Sequence, residues 1–284
     1  MAPARTPSGR RAQLLLLLAV VFWSTTFIIM KVQLTSISPA LMVFVRFALA
    51  TVIVYALFRH RIAFTWANLG KGILIGIPLF IGFMLQTTGL MTTTASKSAF
   101  ITGLSVVIAP ALSFVFLHEA KSFKTFAALL LAVIGLWTIS FGFTLRIVQL
   151  GTGDMLTLLS AIAFSVHIFV IHRFSKRDSF HAMTFFQLLV VAVCSLVYLV
   201  SSHQEMVVNT SSWPWLVYLA IFTTVLTLLL QNRFQHEVTV TQAGIIYSLE
   251  PVLASVLAVV LISEQMGPAS LVGGALIVLA SAIS

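Results

Sequence analysis

Glu250 is the residue of this 284-residue chain whose position most demands a chemical reason. It stands inside the apolar stretch 241–262, directly before Pro251. A carboxylate near the middle of a lipid-embedded span costs at least a few kcal/mol, so it turns to a cavity or a partner. Pro251 removes a backbone donor and frees a carbonyl one turn back, which opens a polar break in the helix. Glu250 therefore reads either as a contact for a substrate ammonium, a proton site or a gate, or as a hydrogen-bonded glutamate that locks the kink. The residues alone leave the two open. Gln86 and Gln231 also lie in apolar stretches; an amide both gives and takes hydrogen bonds, which suits a zwitterion, although the same group can bond helix to helix.

Other polar residues recur at helical spacing. Ser98, Thr102, Ser105 and Ala109 make a small polar stripe that could line a watery path or let helices approach closely. Trp23, Thr26 and Met30 share one face of the first apolar stretch, where Trp23 could wall an apolar pocket or serve as an aromatic of the core or of an interface belt. His167, deep in its stretch, could border a cavity or be a plain hydrogen-bonded histidine of the helix packing. Five residues separate it from His172, which puts the two on different faces, and no metal-ligand spacing completes a site. Arg46 reads as structural, pairing with carbonyls or snorkelling from its apolar stretch. No phosphate loop, metal cluster or nucleophile–base pattern is present, so no catalytic residue, metal or cofactor is expected.

The elements that hold these residues must be membrane helices. Sixty per cent of the chain is apolar and 8% charged, too few charges to cover a soluble globule. The apolar runs are long and continuous rather than alternating, and only helices or closed barrels satisfy the backbone in lipid. Ten spans are predicted, at 12–32, 39–58, 70–90, 97–117, 124–143, 153–173, 180–201, 213–232, 241–262 and 267–283. Pro78, Pro110 and Pro251 fall inside spans and should kink or break them. Arg5, Arg10 and Arg11 before the first run resemble a signal-peptide start. The run continues towards Val32 with no small-residue cleavage site, which predicts an uncleaved first helix.

A net charge of +9 does not point to nucleic acid, because the basic residues stand singly or in small groups between apolar runs. Their distribution orients the chain instead. With the N-terminus inside, Arg5, Arg10, Arg11, Arg59, Arg61, Lys71, Lys121, Lys124, Arg173, Lys176, Arg177 and Arg233 are cytoplasmic. Only Lys31, Lys97 and Arg146 lie opposite, so both termini are placed in the cytoplasm. Cys194 sits in an apolar run, and no disulfide framework exists.

An internal repeat organises the whole. Shifted by 141 residues, Trp23-Ser24 meets Phe164-Ser165, Phe44 meets Phe185 and Arg46 meets Gln187. Shifted by 145, Gln86 falls on Gln231, Leu104 on Leu249, Leu112 on Leu257, Val115 on Val260, Glu119 on Glu264, Leu131 on Leu276 and Val133 on Val278. Ser98, Thr102 and Ser105 take Ala243, Tyr247 and Glu250 as partners. Five spans per repeat is an odd number, so the second half enters the membrane inverted, with Glu119 cytoplasmic and Glu264 periplasmic. Inverted halves are an architecture of secondary transporters, with the substrate site between them near the midplane.

Trp23-Ser24, Pro39, Arg46, Pro110 with Leu117-His118-Glu119, Leu249-Glu250-Pro251 and Ser263-Glu264, in this order and spacing, resemble the EamA-type domain of the drug/metabolite transporter superfamily. The likeness covers nearly the whole chain; Ser24 departs from the glycine common there. It implies a basket in which spans 1, 3, 4, 6, 8 and 9 surround a central cavity and spans 5 and 10 lie farther out. The likeness extends to the YddG-like bacterial amino-acid exporter branch. The resulting expectation is an all-α polytopic protein of a bacterial inner membrane. A cytoplasmic segment 1–11 precedes a first EamA repeat at 12–146 and an inverted second at 147–284. Its partners are the lipid bilayer and a small-molecule substrate, an amino acid or related metabolite, moved by alternating access. The expected binding set is Trp23, Thr26, Met30, Gln86, Ser98, Thr102, His167, Gln231, Tyr247 and Glu250. A channel-like facilitator and an intramembrane enzyme are the rival classes. Inverted repeats with kinked helices favour a carrier over a fixed pore, and Glu250 has no acidic companion for catalysis.

Overall fold

The computed structural model describes residues 7–117, 123–143, 150–174, 180–262 and 267–283, and these residues are almost entirely helical. Arg5, His118, Glu119, Lys121, Arg146, Lys176, Arg177, Ser263 and Glu264, which carried part of the charge and repeat arguments, lie outside them. The first half contains α1 (Pro7–Gln33), α2 (Pro39–Phe58), α3 (Trp66–Leu90), α4 (Ala95–Gly103), α5 (Ser105–Leu117) and α6 (Phe123–Phe141). The second contains α7 (Thr152–Phe174), α8 (Phe180–Ser201) and α9 (Trp213–Ala220). It continues through a π-helical turn (Ile221–Leu226) into α10 (Thr227–Phe234), then α11 (Val240–Tyr247), α12 (Leu249–Ile262) and α13 (Pro268–Ile283).

Among the described residues eight helical stretches are long and apolar enough to cross a membrane, and two shorter apolar helices, Phe126–Thr138 and Leu271–Ala280, lie within α6 and α13. Large apolar side chains such as Leu14, Val52, Leu57, Phe114 and Val197 stand exposed along these helices, as a lipid-facing surface requires. Several buried hydroxyls are satisfied within their own helices: Thr51, Ser165 and Ser195 each donate to the carbonyl four residues back.

The breaks fall where two spans were expected to be interrupted, but not always at proline. α3 runs through Pro78 and α5 contains Pro110, whereas the first-half interruption lies at Leu104. The second lies at Ser248, three residues before Pro251. The two are one repeat position apart and face each other: a Cβ on Gly103 would meet the Pro251 ring at 3.4 Å. The caps also repeat. Thr94 accepts from the Lys97 amide at 3.2 Å, and its repeat mate Thr239 forms a capping box with Gln242.

α3 packs extensively against both α7 and α8, helped by glycines that let the backbones close. A Cβ on Gly72 would overlap Phe186, and one on Gly76 would meet Val190 at 2.7 Å. The contacts between halves come in exchanged pairs. α3 touches α7 and α8 as α10 touches α1 and α9 touches α2; α4 and α5 touch α7 as α11 and α12 touch α1. The α2–α8 and α6–α13 contacts are their own counterparts. This is the pattern that a pseudo-two-fold relation between the halves produces.

One end of the bundle is tied by polar bonds. Lys97 of α4 reaches Asp154 at the start of α7 at 2.5 Å; Thr93 donates to the same carboxylate at 2.6 Å. Lys31 at the end of α1 donates to the carbonyls of Leu90 and Thr93, each at 2.7 Å. Sequence reading treated both lysines as topological charges only and missed Asp154.

Candidate functional site

A cavity of about 610 Å³, its mouth included, lies between the halves. From α1 it takes Trp23, Thr26 and Phe27; from α3, Leu79, Phe83 and Gln86; and from α4 and α5, Thr102 and Ser105. The second half supplies Phe164, His167 and Ile168 of α7, Leu228 and Gln231 of α10, and Tyr247 and Glu250 of α11 and α12. Arg46 of α2 completes the wall.

Laid on the repeat, this lining is made of equivalent positions. Trp23 pairs with Phe164, Thr26 with His167 and Phe27 with Ile168 at the shift of 141. Phe83 pairs with Leu228, Gln86 with Gln231, Thr102 with Tyr247 and Ser105 with Glu250 at the shift of 145. A cavity built this way straddles the pseudo-two-fold relation. Gln86 Nε2 donates to Thr102 Oγ1 at 3.1 Å, and the repeat mates of this pair, Gln231 and Tyr247, line the same cavity. The Tyr247 hydroxyl donates to Gln235 Oε1 at 3.1 Å.

The charges break the symmetry. Arg46 has the neutral Gln187 as its repeat mate, and Glu250 has Ser105. Arg46 is 1% exposed and donates from Nε to Thr224 Oγ1 at 2.6 Å. Its Nη2 donates to Thr223 Oγ1 at 2.9 Å and to the Thr223 carbonyl at 3.1 Å; its Nη1 meets the Met30 sulfur at 3.5 Å. The guanidinium lies 4.7 Å from the Phe83 ring centroid, a cation–π contact. Gln187 bonds instead to His167, whose Nε2 is 3.2 Å from the amide oxygen and donates to it. Arg46 and Glu250 interact electrostatically across the cavity but make no direct ion pair. Glu250 accepts no hydrogen bond from another described residue.

The aromatic rings frame this polar set. Trp23 meets Tyr247 edge-on at 5.4 Å, and Phe83 meets Phe164 edge-on at 5.2 Å. Thr26 Oγ1 and Gln231 Oε1 are buried without a hydrogen-bond partner. Unfilled polar valence inside a cavity is what a polar ligand can complete.

Of the residues singled out from sequence, Trp23, Thr26, Gln86, Thr102, His167, Gln231, Tyr247 and Glu250 come together on the lining. Met30 and Ser98 do not: Met30 backs the Arg46 guanidinium, and Ser98 is fully buried one helical turn before Thr102. Arg46 does pair with a carbonyl, but α2, expected to stand outside the cavity, reaches it through this long side chain. No group of three or more metal-ligating side chains that could hold an ion occurs among the described residues.

Comparison with known proteins gives a consistent picture. Residues 10–141 and 151–284 each match the model of the EamA-like transporter family. An "uncharacterized transporter" of Archaeoglobus fulgidus is 31% identical over 269 residues, which cover 95% of this chain and 84% of that protein. The "uncharacterized transporter YyaM" of Bacillus subtilis is 24% identical over 250 residues, covering 84% and 81%. A solved crystal structure superposes with a TM-score of 0.79 over 96% of each chain at 19% identity, a likeness of fold.

Proposed function

The chain belongs to the EamA-like transporter family, and from that premise we propose that it is a secondary transporter of amino acids or closely related zwitterionic metabolites. The observation that carries the substrate class is that two opposite charges, Arg46 and Glu250, line one cavity without forming a direct ion pair. A buried charge is tolerated when a partner or ligand offsets it. A zwitterion offsets both at once, its carboxylate at Arg46 and its ammonium at Glu250. Gln86, Gln231, Thr102 and Tyr247 offer neutral hydrogen bonds between them, and the aromatic and aliphatic walls accept an apolar side chain.

In this reading α6 and α13 are the fifth and tenth spans, so that ten helices form two inverted halves with both termini in the cytoplasm of a bacterial inner membrane. Alternating access follows from exchanging the conformations of the halves about the shared cavity. Physiological export, as in the YddG-like branch, is part of the proposal. The test is uptake by proteoliposomes of a panel of radiolabelled L-amino acids, with the corresponding amines and amides. Saturable uptake of one or more amino acids, and weak uptake of the amine and amide lacking the carboxylate, is expected. A protein that carries amines or amides as readily as acids contradicts the assignment of substrate class.

A further inference from the structure

The π-helical turn Ile221–Leu226 interrupts an otherwise α-helical span, and its two threonines hold the cavity cation. Successive side chains on an α-helix point about 100° apart and do not share one partner. Through the widened turn, Thr223 and Thr224 both reach the Arg46 guanidinium. Each hydroxyl donates its own proton to the Leu219 carbonyl, at 2.9 and 2.8 Å, which leaves the oxygen lone pairs for Arg46. We propose that Thr223 and Thr224 are positioning residues that set Arg46 to receive the carboxylate of a transported substrate. This rests on reading the cavity as a zwitterion site.

Three observations carry it. Every acceptor around the guanidinium is neutral, so its charge has no counterion in contact. The guanidinium has five N–H donors; Nε and both Nη2 protons go to the threonines, and one Nη1 proton meets a thioether, a weak acceptor. One Nη1 proton is left without an acceptor among the described residues, on a side chain that lines the cavity. Finally, the arrangement exists in one half only. The repeat positions of Thr223 and Thr224 hold Pro78 and Leu79, in the unbroken helix α3, and the position of Arg46 holds Gln187. Arginine, threonines and π-turn occur together, and none of them occurs in the mate, so the set is not a by-product of the repeated fold.

The experiment compares L-leucine with L-leucinamide in proteoliposome counterflow for the wild type, Thr223→Val, Thr224→Val, the double variant, Thr224→Ser and Arg46→Lys. In the wild type the amide should saturate about ten-fold more weakly or worse, the loss expected for a charge-assisted hydrogen bond. Each valine variant should weaken leucine several-fold and leave leucinamide unchanged, with the maximal rate kept; the double variant should abolish the preference. Thr224→Ser keeps the hydroxyl and should restore it, whereas Arg46→Lys, which lacks the fork, should lose it. Valine variants that retain the wild-type preference, or that weaken acid and amide equally, overturn the positioning role. A wild type that carries acid and amide alike, or none of the amino acids of the panel, overturns the zwitterion reading and the inference with it. Thr223→Val and Thr224→Val are tested singly so that a double variant that does not assemble leaves the comparison intact.

Discussion

Replacing Glu250 by glutamine and by alanine separates the two roles a carboxylate in this cavity can play. A glutamate that locks the Pro251 kink would need hydrogen bonds to the surrounding backbone, and it makes none with the described residues. The break is held by others: Ser248 donates to the Ile245 carbonyl at 2.7 Å and Ser255 to the Pro251 carbonyl at 2.9 Å. Glu250→Gln should therefore remain folded and monodisperse yet lose substrate affinity by about ten-fold or more, with Glu250→Ala similar. Purification followed by counterflow checks this; a glutamine variant that transports like the wild type between about pH 6 and pH 8 removes the charge from the mechanism. Most of the cavity set was legible because polar residues inside apolar runs are few and costly, which is why Gln86, His167, Gln231 and Glu250 stood out. The role of Arg46 was not legible. Its partners Thr223 and Thr224 are 177 and 178 residues away, and nothing in the run 213–232 signals a π-turn. The Lys97–Asp154 pair escaped for the same reason, since its members meet only when α4 and α7 dock.

Helix packing around α3 can be tested by two substitutions of opposite expected sign. Gly72 faces Phe186 so closely that an added methyl overlaps it, while Gly70 has nothing within 4 Å of the corresponding position. Gly72→Ala should lower thermal stability in detergent by about 1–3 kcal/mol, the range for overpacking. Gly70→Ala should leave stability unchanged or raise it by up to about 1 kcal/mol through helix propensity. Melting curves of the two variants decide the matter, and equal effects would contradict the α3–α8 approach described above. The expected span boundaries held within a few residues where apolar runs end. They failed where a cap sits upstream: α3 starts at Trp66 because Thr65 accepts from the Asn68 amide, four residues before the apolar run opens. Proline proved an unreliable guide to breaks, since α3 keeps its helix through Pro78 while the first-half break lies at Leu104 beside Gly103.

At the level of the whole molecule, the repeat was readable from polar residues matched across the halves, and the seven equivalent pairs on the cavity wall give it a physical meaning. What could not be read was which positions depart from equivalence, because Arg46 over Gln187 and Glu250 over Ser105 matter only once both reach one cavity. If the halves are inverted, the α2–α3 link and the α8–α9 link lie on opposite sides of the membrane although they are equivalent in the repeat. In a Cys194→Ser background, Met206→Cys should react with an impermeant maleimide from the periplasmic side and His60→Cys should not. Equal labelling would contradict the inversion. The claim that the cavity is a carrier site, loaded from one side at a time, is tested most directly by trans-stimulation. Proteoliposomes are filled with a labelled amino acid identified in the uptake panel, and its efflux is measured with and without the same unlabelled amino acid outside. A carrier returns faster loaded than empty or exchanges one molecule for another, so efflux should accelerate several-fold with unlabelled substrate outside. Efflux that is indifferent to the outside substrate, and linear in the inside concentration without saturation, would contradict it.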